Sequence, residues 1–224
     1  MIKAILFDFD GVLAHTFPYH FKAWQIVIHQ YFHFDPDAHS IQINEGSPAY
    51  KIAQAIVATQ SVDLDEAAAR SLAEQKNLIF RKISRAGPYQ EIPDILSQCR
   101  SLDLKLGLVT GTTLENIHRV LSGDILDQFQ IVIEEGDTRR GKPFPDPYQT
   151  AAENLETDPA NCLVVENAPL GIQAAKAAGC FCIALQTTLE KEHLNHADVI
   201  LKDHRSLQKQ IKLIIEKHGN IDLL

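Results

Sequence analysis

The sequence predicts an α/β protein with a doubly wound, Rossmann-like parallel sheet and an inserted all-helical segment. Short, continuously apolar runs alternate with stretches of helical periodicity along most of the chain. Such runs are typical of strands that are buried on both faces of a parallel sheet, and their alternation with helices favours βαβ units. Between about residues 15 and 85, only helical patterns occur.

Each element follows from its own apolar pattern. Strands are predicted at residues 3–7, 104–109, 130–133, 162–165 and 180–185, with a weaker one at 198–201. Core helices are predicted at 93–101, 114–121, 147–155 and 169–178, with an amphipathic tail helix at 207–218. The inserted helices are predicted at 20–31, 48–59 and 64–83, and the acids near residue 63 suit the start of the last one.

These elements predict two domains. Residues 1–14 and 86–224 form the α/β core, and residues 15–85 form the helical insertion. The linkers between the two are expected at residues 14–18 and 84–88.

Composition excludes several classes of protein. The 224 residues are long enough for a sizeable core, and 45% hydrophobic with 22% charged residues exclude a disordered chain. A net charge of −8 argues against a nucleic-acid partner, and no apolar run suits a membrane span. The four cysteines lack zinc-like spacing, so we expect buried, reduced thiols in a cytoplasmic protein.

Polar residues follow four of the predicted strands, at the edge where a parallel sheet binds ligands. Asp8 and Asp10 follow the first strand, and Thr110-Gly111-Thr112 follow the second. Lys142 lies in the loop after the third strand, and Glu166-Asn167 end the fourth. Any one of these groups suits ordinary strand-end capping. All four together at successive strand ends predict an active site.

In the same order, these residues resemble the four motifs of the haloacid dehalogenase superfamily of phosphotransferases. The segment 8–12 (DFDGV) matches the first motif, Thr110 the second, Lys142 in GKPFPDPY the third, and 164–172 (VVENAPLGI) the fourth. The helical insertion is similar to the C1 cap of the branch that holds phosphoglycolate phosphatases and β-phosphoglucomutases. The resemblance implies a cap that closes over the site and sets the substrate.

Phosphoryl transfer gives each of these residues a role, because it depends on positioning and on neutralising phosphoryl charge. Asp8 can attack phosphorus to form an aspartyl-phosphate. Asp10, on the same side of the strand, can protonate the leaving oxygen and then activate water. That role needs one carboxyl protonated while the other is ionised. The phosphate-binding residues are expected to be Gly11, Thr110, Gly111, Thr112 and Lys142.

A hard cation is expected to offset these negative charges. Asp8, the Asp10 carbonyl, Glu166 and Asn167 offer oxygen ligands that suit Mg²⁺. The family usually has Asp at the position of Asn167, so we expect weaker metal binding with retained activity. Related sequences often carry an acid where this chain has His15, and nothing in the sequence explains that change.

In the insertion, His20 and Lys76 are the candidate substrate-binding residues, and the segment Asn44-Glu45-Gly46-Ser47 is a further candidate for contact with the substrate. His20 and Trp24 resemble a first cap helix of the family, and Trp24 is expected in the core of the insertion. For His20, a role at the site and an ordinary place at a helix end are equally favoured. A solvated helix lysine is favoured over a substrate contact for Lys76. The other histidines of the insertion are expected at the surface (His15, His29, His33 and His39).

The predicted function is a Mg²⁺-dependent phosphatase for a small phosphorylated metabolite: a sugar, polyol or hydroxy-acid phosphate. One alternative is a β-phosphoglucomutase-like isomerase, but that branch carries an arginine for the distal phosphate near position 49, where this chain has Ala49. A non-catalytic phospho-acceptor domain is a weaker alternative, because it would need neither Asp10 nor the long insertion. A haloacid dehalogenase activity is less favoured, because Asp10 suits phosphoryl transfer and Lys142 with Glu166 suits a Mg²⁺ site. We expect a monomer or weak dimer.

Overall fold

The computed structural model describes residues 1–217, and within them six strands form one parallel sheet, as predicted. The strands are β1 Ala4–Phe7, β2 Lys105–Val109, β3 Ile131–Ile133, β4 Cys162–Glu166, β5 Phe181–Leu185 and β6 Val199–Leu201. Their order is β3-β2-β1-β4-β5-β6, and every neighbouring pair is parallel. The chain therefore reverses its winding direction beside β1, where such sheets bind ligands.

Helices cover both faces of the sheet because successive strand residues point in opposite directions. Ile5 and Phe7 of β1 belong to one hydrophobic cluster, whereas Ala4 and Leu6 belong to another on the opposite face. The first cluster includes residues of α5 (Ile92–Ser101) and α10 (His204–Lys217), and the second includes residues of α8 (Asp146–Asn154) and α9 (Pro169–Ala178). The remaining core helices are α6 (Leu114–Val120), α7 (Gly123–Leu126) and the 3₁₀ turns Pro159–Asn161 and Lys191–His193.

The predicted core helices are confirmed, with ends that shift by a residue or a few. The sequence did not predict α7 or the 3₁₀ turns, which are too short to show a helical period. The predicted end of the tail helix, at His218, lies outside the described residues.

The helical insertion has a hydrophobic cluster of its own. Its helices are α1 Phe17–Phe32, α2 Ala38–Gln42, α3 Ala49–Ala58 and α4 Glu66–Ile83. Trp24, Ile28 and Ile56 lie in that cluster, so Trp24 is a core residue as expected. Asp65 accepts a hydrogen bond from the Ala68 N–H at 2.8 Å, which caps α4 near its predicted start.

The two predicted linkers lie side by side. Ala14 and Pro88 form an isolated antiparallel bridge. The Tyr89 N–H donates to the Leu13 carbonyl at 3.0 Å, and the His15 N–H donates to the Gly87 carbonyl at 3.3 Å. The insertion thus leaves and rejoins the core at one place. The boundary of an independently folding unit at residues 15–85 stays a prediction.

Two expectations from composition can be compared with the structure. Cys99, Cys162, Cys180 and Cys182 are buried and free, as expected. Among residues 1–217, each helix is too short or too polar to span a bilayer.

Burial in the inserted cluster predicts a stability difference within α1. Ile28 is fully buried, whereas Ile26, on the same helix, is 37% exposed. We expect Ile28→Ala to lower the free energy of unfolding by about 2–5 kcal/mol, because it removes buried methyl groups and leaves a cavity. Ile26→Ala is the matched control, with an expected change within about 0.5 kcal/mol. Urea unfolding of both variants measures this, and equal losses would contradict the packing described.

Candidate active site

The predicted strand-end residues meet in one closed site at the carboxyl edge of the sheet. Asp8, Asp10, Thr110, Gly111 and Thr112 line a cavity of about 50 Å³. Its other wall comes from the insertion and includes His20, Trp24, Glu45 and Lys76. Lys142, Glu166 and Asn167 lie behind the cavity and are buried. The convergence that the sequence predicted is therefore present, and the insertion covers it.

Lys142 holds two carboxylates together beneath the cavity. Its Nζ donates to Asp8 Oδ1 and to Glu166 Oε1, each at 2.6 Å, and to the Val109 carbonyl at 3.1 Å. Burial raises the pKa of Asp8 to about 8, and Glu166 and Asp10 act in the same direction against Lys142. The site thus holds more negative charge than Lys142 offsets, which leaves a place for a cation.

Glu166 has protein donors on both of its oxygens. Oε1 also accepts from the Tyr148 hydroxyl at 2.7 Å, and Oε2 accepts from the N–H groups of Asn167 at 3.0 Å and Ala168 at 3.4 Å. A Cβ at position 171 would lie 1.8 Å from Oε1, so only glycine fits there. The structure thus gives Glu166 a role in holding Lys142. Its role as a direct metal ligand stays a prediction, which these contacts do not favour.

Asn167, the residue after Glu166, has a side-chain oxygen that is not hydrogen-bonded. The residue is fully buried, and its Nδ2 donates to Thr188 Oγ1 at 2.9 Å. Its Oδ1 has no hydrogen-bond partner among the described residues. Gly11 leaves space for the Asn167 side chain, because a Cβ at position 11 would lie 2.1 Å from Asn167 Nδ2. The φ of Gly11 is +79°, a backbone conformation that glycine adopts readily.

These residues fit a Mg²⁺ ion, which prefers oxygen ligands. The Asp8 carboxylate, the Asp10 carbonyl and the orphaned Asn167 Oδ1 are the available donors. Within residues 1–217, no three His, Cys, Asp or Glu side chains converge as a ready-made metal site. The proposed donor set differs from such a cluster because it includes an amide and a main-chain oxygen.

Asp10 is tied to the insertion by a chain of hydrogen bonds. Its Oδ1 accepts from Thr16 Oγ1 at 2.5 Å and lies 3.1 Å from His20 Nε2. Lys76 Nζ lies 2.7 Å from His20 Nδ1. An ammonium group can only donate hydrogen bonds, so His20 Nδ1 is the acceptor. The ring proton is therefore on Nε2, which donates a hydrogen bond to Asp10. Burial lowers the pKa of His20, and Lys76 lowers it further, in keeping with a neutral ring.

The same chain of hydrogen bonds separates the pKa values of the two aspartates. Burial by itself raises the pKa of Asp10, but His20, Thr16 and Lys76 outweigh it and bring the pKa below its ordinary value. In the protein alone, Asp8 is therefore the carboxyl that more readily keeps a proton. The role of Asp10 as the proton donor to a leaving group stays a prediction.

Lys76 is buried, so the solvated lysine that the sequence favoured is wrong. The residue is only 5% exposed, and its Nζ lies 5.3 Å from the centre of the Trp24 ring. Phe80 stacks on His20 with ring centres 4.0 Å apart and holds that ring in place. His20 therefore belongs to the site, whereas the other four histidines of the insertion are exposed as expected.

The loop after β2 provides the remaining wall. Thr110 Oγ1 accepts from the Thr112 N–H at 3.1 Å, and Thr112 Oγ1 accepts from Asn116 Nδ2 at the same distance. A Cβ at position 111 would lie 2.7 Å from the Gly46 carbonyl, so Gly111 lets the insertion approach this loop closely.

Sequence reasoning missed two residues that complete the site. Thr16 bonds Asp10, and Tyr148 bonds Glu166. Thr16 follows the first motif closely and could have been found from that spacing. Tyr148 carries no such signal, because helical packing places it. The candidate segment 44–47 contributes Glu45, a buried acid in the cavity wall.

Comparisons with known proteins agree with this site. A family model described as haloacid dehalogenase-like hydrolase matches residues 5–185. The chain is 32% identical over 206 residues to validoxylamine A 7'-phosphate phosphatase of Streptomyces hygroscopicus subsp. limoneus, covering 91% of this chain and 94% of that protein. It is 30% identical over 190 residues to β-phosphoglucomutase of Bacillus subtilis, covering 82% and 83%.

A solved structure shares the fold over the full length of both chains. The crystal structure of β-phosphoglucomutase from Clostridium difficile superposes with a TM-score of 0.84 at 24% identity. The family match runs from β1 to the end of β5 and takes in all four strand-end groups. The chain therefore belongs to the haloacid dehalogenase-like hydrolases.

Proposed function

We propose that this protein is a phosphatase that hydrolyses a small phosphomonoester through an aspartyl-phosphate on Asp8. The observation that carries the proposal is the placement of Asp8. It lies at the end of β1, held by Lys142 at 2.6 Å, and it shares a closed cavity with Asp10. A nucleophile, an adjacent acid–base group and a fixed cation are what stepwise phosphoryl transfer requires.

In the first step, an Asp8 oxygen attacks phosphorus while the ester P–O bond breaks, and Asp10 gives a proton to the leaving oxygen. When the phosphate group binds, the proton that Asp8 holds in the protein alone passes to Asp10, because the added negative charge raises the pKa of Asp10. Asp8 is then the ionised carboxyl that attacks. In the second step, Asp10 removes a proton from water, which attacks phosphorus. The bond to Asp8 then breaks and inorganic phosphate is released. His20 and Thr16 orient the carboxyl of Asp10 throughout.

Asp8, the Asp10 carbonyl and Asn167 would hold Mg²⁺, and Glu166 would support the site through Lys142. The ion, when bound, neutralises charge on the phosphoryl oxygens. The Thr110 hydroxyl and the Gly111 N–H act on the same oxygens as neutral donors. Lys142 contributes a fixed positive charge, because its three N–H groups are already bonded to Asp8, Glu166 and Val109.

Residues 15–85 act in this proposal as a cap. The loop around Gly46 lies directly against Gly111 and Lys142, and the cavity beneath it is small. Closure excludes water other than the attacking molecule and places His20 and Lys76 beside the leaving group. The substrate is a small phosphorylated metabolite: a sugar, polyol or hydroxy-acid phosphate. The free, buried cysteines suit the reducing cytoplasm where we place it.

A mutase is the second candidate, favoured by the 30% identity to a β-phosphoglucomutase. A mutase must hold a bisphosphate by its non-reacting end. Ala49 lines the cavity and supplies no cation for that phosphate. The relative at 32% identity carries the name of a phosphatase. The product decides between the two: free phosphate indicates hydrolysis, and glucose 6-phosphate from β-glucose 1-phosphate indicates isomerisation.

The first prediction tests the nucleophile. Wild-type protein with Mg²⁺ is expected to release phosphate from members of a panel of phosphorylated sugars, polyols and hydroxy acids. Asp8→Asn should reduce this release below detection, because an amide cannot form the acyl-phosphate. Asp127→Asn, at an exposed position of the core, is the control and should keep wild-type activity. Wild-type activity in Asp8→Asn would contradict the mechanism.

The second prediction concerns Asn167. Asn167→Asp adds a negative charge beside the proposed cation and keeps the shape of the side chain. We expect a lower Mg²⁺ concentration at half-maximal activity, because the attraction between ion and ligand increases. Turnover need not rise, since the same charge opposes an anionic substrate. A Mg²⁺ titration of both forms measures this. Unchanged or weaker affinity would place Asn167 outside the metal's ligands.

The third prediction follows from the pKa of Lys76, which burial lowers to about 8. Below that pH the ammonium group attracts the substrate phosphate, and above it the neutral amine does not. We therefore expect kcat/KM to fall above about pH 8. In Lys76→Arg the guanidinium group stays charged, so kcat/KM should remain constant to higher pH. Lys22→Arg, at an exposed position of α1, is the control. Identical profiles for wild type and Lys76→Arg would refute this assignment.

A further inference from the structure

Glu45 occupies the part of the cavity wall that faces the reacting residues from the insertion. Its loop follows α2 and is fixed to the core from two sides. Gln42 Nε2 donates to the Thr188 carbonyl at 2.8 Å, and a Cβ on Gly46 would lie 3.1 Å from Lys142 Cδ. These contacts place the loop against the core, and the Glu45 side chain lines the cavity together with Asp8 and Asp10.

The carboxyl group of Glu45 is buried with one oxygen unused. The residue is 8% exposed, and Oε2 has no hydrogen-bond partner among residues 1–217. Burial raises the pKa of Glu45 well above its usual range, Asp10 and Asp8 raise it further, and a hydrogen bond from Thr188 acts in the opposite direction. Buried polar atoms in folded proteins are nearly always satisfied. Glu45 lines the ligand cavity, so its unpartnered oxygen indicates a ligand group that reaches the carboxyl and bonds it.

The charges around Glu45 restrict the chemistry of that ligand group. Asp8, Asp10 and Glu135 line the same cavity, and the cation in its wall, Lys76, already contacts His20. A second phosphate or a carboxylate on the substrate would add negative charge beside these acids. A hydroxyl group is neutral, and it can donate to an ionised carboxylate or accept from a protonated one.

The size of the cavity also bears on the substrate. At about 50 Å³, it holds roughly three to five water-sized groups. A phosphate group alone occupies about that volume, so a substrate larger than a small phosphate ester does not fit this conformation.

We propose that Glu45 is a specificity-determining residue that bonds a hydroxyl of the leaving group, so that the substrates are phosphate esters of small neutral polyols or sugars. This proposal rests on the proposed phosphatase activity and narrows its substrate class. It excludes hydroxy-acid phosphates and bisphosphates as preferred substrates, because their second anionic group would lie beside Glu45.

The test compares pairs of substrates that differ only in their hydroxyl groups. Linear alditol 1-phosphates of three to six carbons are each set beside the alkyl phosphate of the same length, with 3-phosphoglycerate as the carboxylate probe. The kcat/KM ratio of alditol to alkyl ester is measured for wild type, Glu45→Ala, Glu45→Gln and Asp63→Ala. Asp63 is an exposed acid of the same insertion and serves as the matched control. Circular dichroism and melting temperature verify that each variant is folded.

For wild type, we expect a ratio well above one at the best chain length and poor use of 3-phosphoglycerate. In Glu45→Ala the ratio should fall about 10- to 100-fold, because the hydroxyl loses a buried partner. Glu45→Gln keeps an acceptor oxygen in the same place and should retain more of the ratio than Glu45→Ala. Asp63→Ala should keep the wild-type ratio.

A ratio that falls less than tenfold in folded Glu45→Ala overturns the proposal, as does a wild type that prefers 3-phosphoglycerate. If Glu45→Ala does not fold, the decision passes to Glu45→Gln and the wild-type panel. A wild-type ratio indistinguishable from one, or a Glu45→Gln ratio equal to the wild-type ratio with no difference between alditol and alkyl esters, would then overturn the proposal. Hydrolysis of p-nitrophenyl phosphate separates failure of the Glu45 proposal from failure of the proposed phosphatase activity. If wild type releases no phosphate even from this ester, the proposed function itself fails.

Discussion

The ammonium group of Lys142 links three separate parts of the sheet edge. It binds Asp8 after β1, Glu166 at the end of β4 and the carbonyl of Val109 at the end of β2. Taking three charges out of water costs several kcal/mol per ion, and only close pairing with further hydrogen bonds offsets that cost. Tyr148 and the N–H groups after β4 supply those bonds to Glu166. Asp8, the proposed nucleophile, is therefore positioned by the same contacts that offset the cost of burying these groups.

The surroundings of the two aspartates shift their pKa values in opposite directions. Burial raises the pKa of Asp8, and Glu166 and Asp10 raise it further against the effect of Lys142. Burial also raises the pKa of Asp10, but His20, Thr16 and Lys76 outweigh it. Two carboxyls two residues apart in the sequence thus have different affinities for a proton.

Residues of the insertion contact the site directly. His20 joins Asp10 of the core to Lys76 of α4, so the Asp10 carboxyl is oriented by residues of the insertion. The insertion and the core approach closely where Gly46 and Gly111 have no side chain. His20 and Lys76, which both lower the pKa of Asp10, therefore depend on this packing of the insertion against the core.

The sequence by itself determined the parallel sheet, the helical insertion and the strand-end residues of the site. Apolar runs and helical periods are local properties, and a parallel sheet brings its carboxyl ends together whatever the details of packing. Tertiary structure alone decided the burial of Lys76, the partners of Glu166, the protonation of Asp10 and the unused oxygen of Glu45. Each depends on which side chains from distant segments face one another within a few ångströms, and on the solvent that they exclude. A lysine on a helix looks solvated in the sequence, and it is buried here because α1 and α4 pack around it.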